Sequence, residues 1–173
     1  AGATTACYLE VLDGAQAGHR IEITSLASGM AALDLDSPLS TLIELPQDLS
    51  GARVVVRPHV TLAQAFPPAA FQAAAVMKAA DQVLFYENGS WHVHWLNGSR
   101  QWVSANDTTL ASQNAKIIPP GTGLMVKSAG NAKATTLTGH VRMNPWRRVL
   151  STGQNFLALP WPVDATPLSL GLT

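Results

Sequence analysis

The stretch that decides the fold runs from Asp81 to Val103 and reads DQVLFYENGSWHVHWLNGSRQWV. It predicts three short strands joined by two tight turns. Asn88-Gly89 and Asn97-Gly98 separate its apolar runs, and Asn-Gly tolerates the positive φ that a two-residue hairpin turn requires. Side chains alternate between the two faces of a strand. Three residues of the middle run therefore share one face: Trp91, Val93 and Trp95. The stretch predicts a β-meander with an aromatic inner face.

Short runs with strand character also occur outside the meander. Residues 6–12 and 19–24 contain alternating apolar side chains, and residues 53–57 are β-branched and bounded by turn residues. Thr61 is a suitable N-cap for a helical turn, and the alanine-rich residues 69–80 have high helix propensity. The sequence therefore predicts a mainly β chain, an antiparallel β-sandwich or barrel-like domain with one or two short helices.

Length and charge limit the organisation of the chain and its partners. The 173 residues contain no linker and no internal repeat, which predicts one domain over 1–173, with an N-terminal segment 1–12 that could be exchanged or extended. Charged residues make up 13% and the net charge is zero, so copies of the chain repel one another weakly. Nucleic acid is not an expected partner, because it requires a basic face. No apolar run reaches the roughly 18 residues of a membrane span.

The first residues indicate export. The chain opens on Ala-Gly-Ala-Thr-Thr-Ala without an initiator Met, as a mature exported protein does after its signal peptide is removed. A trimmed chain would look the same. Cys7 is the only cysteine, and it is a small apolar core residue on a strand, a partner in an intermolecular disulfide, or a free thiol. The expected location is extracellular or at the cell surface.

His92 and His94 are weak candidates for a metal site. Both imidazoles lie on one face of a strand, opposite the face that carries Trp91 and Trp95. Two ligands about 7 Å apart could share a metal if a neighbouring strand supplied a third. The alternatives are exposed strand histidines or a contact between subunits.

No catalytic residue and no cofactor is predicted. The Gly-x-Ser-x-Gly motif of a strained nucleophile turn is missing from the sequence. Gly121-Thr122-Gly123 follows two prolines and precedes a strand, whereas a phosphate-binding loop must precede the N-terminus of a helix. This Gly-x-Gly instead predicts a turn with room for close backbone approach.

Five segments resemble a known family: QVLFYENGSWHVHW, IIPPGTGLMVK, TLTGHVR, QNFLALPWP and TPLSLGL. They are similar to the hairpin, the Pro-Gly-x-Gly-hydrophobic strand and the Leu-Pro-x-Pro closing segment of largely uncharacterised bacterial exported β-rich proteins. The resemblance extends from about Tyr8 to Leu172. It implies export and a β-rich domain, with no catalytic residue to carry over. Members of this family usually have a further strand before the position of Tyr8, so the resemblance implies an open sheet edge here.

The leading hypothesis is a non-enzymatic exported structural protein. Its copies would assemble into an extracellular fibre, sheath or surface layer by β-strand addition. The expected contact residues lie on the N-terminal strand and at two tryptophans beside prolines: Cys7, Tyr8, Leu9, Val11, Trp146 and Trp161. The alternative is a carbohydrate-binding or adhesive surface module that uses exposed tryptophans. The expected partners are therefore copies of the same chain, with glycans as the alternative.

Overall fold

The computed structural model describes residues 6–42, 49–130, 144–150, 152–158 and 166. Ten strands lie in these residues. In chain order they are β1 (Cys7–Val11), β2 (Arg20–Ala27), β3 (Met30–Asp34), β4 (Val54–Pro58), β5 (Val60–Thr61), β6 (Gln82–Glu87), β7 (Ser90–Leu96), β8 (Trp102–Ser104), β9 (Ile117–Ile118) and β10 (Leu124–Lys127). One short α-helix, α1 (Leu62–Ala65), follows β5, and two 3₁₀ turns span Pro68–Ala70 and Met77–Ala79.

The strands form two four-stranded sheets and a short ladder. The first sheet has the order β3-β2-β1-β4 and the second the order β10-β6-β7-β8, with antiparallel pairing throughout. β5 follows β4 directly and pairs with β9, which leads through Pro119-Pro120 into β10 of the second sheet. The ladder thus links the two sheets. The predicted mainly β, sandwich-like architecture with a short helix is confirmed.

The meander consists of β6, β7 and β8, as predicted. Asn88 and Gly89 have φ values of 51° and 78°, the two positive values that a type I′ hairpin turn requires. The second connection is longer than the predicted two-residue turn. Its positive φ falls on Arg100. Asn97 shapes this connection through its side-chain oxygen, which accepts a hydrogen bond from the N–H of Gln101.

The main core lies on the face of the meander opposite to the predicted one. Val83 pairs with His94, and Phe85 pairs with His92, so the histidines share a face with the apolar residues of β6. Directly opposed residues on antiparallel strands point to the same side of a sheet. The core cluster on this face comprises Leu62, Phe66, Phe71, Val83, Phe85, Leu96 and Trp102.

The two tryptophans of the predicted aromatic face have different surroundings. Trp95 is buried beside Ala80 and Val103, which form a smaller second cluster with it. Trp91 is 38% exposed, so the prediction that it belongs to the core is wrong. The face of Trp91 and Trp95 is therefore covered at one end and open at the other.

Only the first of the two predicted helices is regular. α1 begins with a capping box, in which the N–H of Thr61 donates to the side-chain oxygen of Gln64 at 2.8 Å. The alanine-rich residues 69–80 form no α-helix. Their helix propensity is overridden by the second sheet, because Ala74 donates its N–H to the carbonyl of the last residue of β7.

Gly121 and Gly123 lie where two aromatic rings pack against the backbone. Gly121 has a φ of 77°, and a Cβ at this position would overlap the indole ring of Trp146. A Cβ on Gly123 would lie 2.5 Å from Cδ1 of Phe156. The predicted close approach to this backbone is confirmed, and the approaching groups are side-chain rings.

Gly121→Ala is expected to lower the free energy of unfolding by about 2–3 kcal/mol, because a Cβ both strains a positive φ and displaces the indole of Trp146. Gly14→Ala is the matched control, since Gly14 has a φ of 74° and open space around it. Urea denaturation of both variants gives the comparison. Equal losses of stability would show that the ring of Trp146 contributes nothing.

Candidate functional site

β4 is one border of the first sheet as the described residues form it. No described residue pairs with its outer edge, and β4 bonds to β1 on its other side. Leu12 donates its N–H to the carbonyl of Arg53 at 2.8 Å, so the backbone groups of Arg53 point inward, toward β1. Because inward and outward bonding alternate along an antiparallel strand, Val54 and Val56 direct their N–H and C=O groups outward.

The outer edge of β3, at the opposite border of the same sheet, is also without a partner within the described ranges. Ser28 and Gly29 form a two-residue turn with φ values of 51° and 75°. Residues that flank such a turn bond to each other, so Met30 bonds inward to β2. Along β3, Ala31 and Leu33 therefore direct their backbone groups outward.

The hairpin of β2 and β3 is an exposed arm without charge. No charged residue occurs between Glu22 and Asp34. The side chains of Leu26 and Met30 are 53% and 73% exposed. Soluble proteins usually protect edge strands with lysine, proline or bulges. β3 contains no lysine or proline, and the irregularity of this hairpin lies on β2, between Ile23 and Ser25. The arm is thus suited to pairing with another strand.

One face of the first sheet is apolar and partly exposed. The pairing of Leu9 with both Ile21 and Val56 places these three side chains on one face, and Leu33 joins them across the sheet. Ile21 is fully buried, whereas Val56 is 41% and Val54 46% exposed. The exposed apolar part of this face therefore adjoins the outer edge of β4.

The N-terminal contact residues predicted from the sequence lie within the chain's own first sheet. Cys7, Tyr8, Leu9 and Val11 all belong to β1, which is paired on both sides, with β2 and with β4. Tyr8 and Val11 are buried, and Cys7 and Leu9 are half-buried. The described part of the segment 1–12, from residue 6 onward, thus occupies the middle of a sheet and not its border.

The structure describes one of the two tryptophans that were predicted as contact residues. Trp146 is half-buried and packs on Gly121, within a segment whose Arg147 N–H donates to the carbonyl of Gly18. Trp161 lies outside the described residues. The aromatic side chains exposed on the described surface are instead Trp91 and Phe156, whose ring centroids are 5.1 Å apart.

The other face of the first sheet is buried and polar. Glu10 is fully buried and accepts hydrogen bonds from Arg57 Nε at 2.5 Å and from Asn144 Nδ2 at 2.9 Å. His59 Nε2 lies 2.8 Å from a carboxylate oxygen of Glu22. Burial of charge is tolerated here because each of these carboxylates has a partner. The sequence does not predict this buried face, since charged residues that alternate with apolar ones usually indicate a face exposed to solvent.

A cleft of about 530 Å³ adjoins this polar face. Its walls come from residues 38–41, 86–89, 119–120, 122, 148–149, 152 and 154–156. Two arginines line it, and consecutive carbonyls hold them: Arg20 donates to Pro120 at 2.9 Å, and Arg148 donates to Gly121 at 2.5 Å. Burial lowers the pKa of both guanidinium groups. For Arg20 the charges of Tyr8 and Glu22 oppose this pKa shift, and the charge of Arg148 adds to it.

His92 and His94 do not form a metal site with a third ligand among the described residues. Nε2 of His92 lies 3.1 Å from Oγ of Ser90. His94 is buried, with its ring centroid 5.1 Å from that of Phe85. The alternative of two exposed histidines is therefore wrong for His94.

His94 makes the stability of the domain depend on pH. Burial, and then the charge of Lys116, lower the pKa of His94 from 6.5 to about 4. Between pH 6.5 and 4 the unfolded chain binds a proton that the folded chain does not, so stability is lost as the pH falls through this range. We expect a loss of about 2–3 kcal/mol. His94→Leu, compared with the wild type by urea denaturation at pH 7 and pH 4.5, should lose correspondingly less; an unchanged pH dependence would contradict this assignment.

Comparison with known protein families, with curated proteins and with solved structures finds no match to this chain. The resemblance to bacterial exported proteins therefore stays a prediction. Across the described ranges, no helix is long and apolar enough to cross a membrane.

Proposed function

We propose that this chain is a non-enzymatic structural domain that assembles with copies of itself by strand addition between β4 of one copy and β3 of the next. The observation that carries the proposal is that β3 and β4, at opposite borders of the first sheet, each have an outer edge with no partner among the described strands. The resemblance to exported proteins supports an extracellular fibre, sheath or surface layer as the product. The N-terminal strand is interior, so the proposal assigns the contact to β3 and β4.

Strand direction favours this contact. In a sheet of four antiparallel strands the two border strands run in opposite directions. A second copy placed beside the first in the same orientation therefore presents its β3 antiparallel to β4 of the first copy, and the sheet continues. Each added copy leaves one free edge at either end, and such a head-to-tail contact produces an open filament instead of a closed dimer.

One register satisfies the hydrogen bonds and the side chains together. It places Val54 opposite Leu33 of the next copy, and Val56 opposite Ala31 of the next copy, so that outward backbone groups meet. The exposed apolar face then continues from one copy to the next. In the same register Arg53, which forms an ion pair with Asp13 of its own copy at 2.6 Å, lies opposite Asp34 of the next copy. The opposite charges of Arg53 and Asp34 favour this alignment.

The test is the size and shape of the purified chain over a range of concentration. Sedimentation velocity is expected to show a series of species that grows with concentration, and electron microscopy is expected to show unbranched filaments one domain wide. A monomer that persists at millimolar concentration would contradict the proposal. A closed dimer would also contradict it, because head-to-tail pairing does not close.

A further inference from the structure

The two arginines of the cleft have no carboxylate partner among the described residues. Glu10 is bonded to Arg57, and Glu22 to His59. The one carboxylate that lines the cleft, on Glu87, forms an ion pair with Lys116 at 3.0 Å. The cleft therefore holds two guanidinium groups that no described carboxylate contacts, although the charge of Glu22 acts on Arg20 from a distance.

The charge of Arg20 is buried inside the domain. The residue is only 4% exposed, and a buried charge is costly unless it is paired. A guanidinium has five N–H donors, yet the Pro120 carbonyl is its single described acceptor. The neighbouring guanidinium of Arg148 likewise donates to one carbonyl. A guanidinium is a planar donor group that suits a bidentate anion, and these two donate to consecutive carbonyls of one turn.

The rest of the cleft suits a sugar. Hydroxyl and amide groups line it, from Ser40, Thr41 and Gln154 among others. Tyr86 and Phe156 add aromatic surface, and the Tyr86 hydroxyl is fixed by a hydrogen bond of 3.0 Å to the Gln154 side-chain oxygen. Ligand pockets of roughly 300–1,000 Å³ hold small molecules, so the cleft has room for one or two sugar units.

We propose that this cleft binds an acidic saccharide, with the carboxylate or sulfate group on Arg20 and Arg148 and a sugar ring against Tyr86 and Phe156. The site is separate from the strand edges, since no residue of β3 or β4 lines the cleft. Loss of one function is therefore expected to leave the other intact.

The first experiment is isothermal titration calorimetry with matched ligands. Tetragalacturonate and a sulfated heparin tetrasaccharide are the acidic probes, and the methyl ester of tetragalacturonate is the neutral counterpart. At least one acidic probe is expected to bind ten times more tightly than the neutral ester, or better. Failure of both to do so would overturn the proposal. Inorganic sulfate that binds as tightly as the acidic saccharides would overturn the assignment of a sugar, because it would show a site for free anions.

The second experiment assigns the site. Arg148→Gln is chosen because Arg148 is only half-buried and the variant should fold, which circular dichroism can verify. It is expected to weaken binding of the acidic probe at least tenfold. Phe156→Ala should weaken binding of the saccharide but not of sulfate. Arg100→Gln changes an exposed arginine away from the cleft and should leave affinity unchanged. Equal affinity of the wild type and Arg148→Gln would overturn the proposal.

Discussion

Val56→Pro is expected to abolish filament formation while the domain stays folded. The N–H of Val56 points away from β1, so proline at this position removes no hydrogen bond within the domain's own sheet. Proline is tolerated on the solvent side of an edge strand but prevents pairing with a further strand. Loss of the hydrogen bond, together with the steric effect of the ring, should weaken self-association about a hundredfold. Sedimentation velocity measures the change.

Two neighbouring variants separate assembly from folding. Val56→Thr keeps the N–H and should retain filaments. Val55→Pro removes a donor that points inward to β1, and it should lower the free energy of unfolding by about 3 kcal/mol. A filament that survives Val56→Pro would show that the β4 edge is not the contact.

Glu10→Ala is expected to lower the free energy of unfolding by about 3–5 kcal/mol, the cost of removing one partner from a buried ion pair. Glu10 is fully buried, and its carboxylate joins β1 to Arg57 of β4 and to Asn144 of the segment 144–150. The Arg57 side chain is 37% exposed and can turn toward water, so the loss should lie near the lower end of this range. The midpoint of urea denaturation measures it.

Glu87→Ala is the matched control for Glu10→Ala. Glu87 also forms an ion pair, with Lys116, but its side chain is 40% exposed. An exposed pair contributes about 0–1 kcal/mol. Equal losses for the two variants would show that the buried polar face adds nothing specific to stability.

The first hairpin of the meander could be predicted from the sequence, because the residues of its turn and of its two strands determine it. Asn88-Gly89 sets two positive φ values within one turn, and the alternating runs around it have the period of a strand. Periodicity shows which residues share a face, but it does not show which face meets the core. On β7 one face carries Trp91 and Trp95 and the other His92 and His94, and packing against Phe66 and Phe71 selects the histidine face.

The candidate sites depend on contacts between distant parts of the chain. Glu10 bonds to Asn144, 134 residues away, so its burial has no signature near Glu10. Strand order is likewise a property of the whole fold. The family resemblance implied an open edge beside β1, yet β4 pairs with β1 and takes the border position. The uncharged arm from residue 23 to residue 33 was visible in the sequence, but its exposure was not.

The most direct test of head-to-tail pairing is disulfide trapping of its register in a Cys7→Ser background. Leu33→Cys together with Val54→Cys places two thiols on opposed residues of neighbouring copies, at a Cα separation of about 5.5 Å that a disulfide can span. Oxidation followed by non-reducing electrophoresis is expected to give a ladder of covalent oligomers, whereas either single cysteine gives at most a dimer. The shifted pair of Ala31→Cys and Val54→Cys should give far less. If the matched pair gives no ladder, or gives one no stronger than the shifted pair, strand addition between β4 and β3 is wrong.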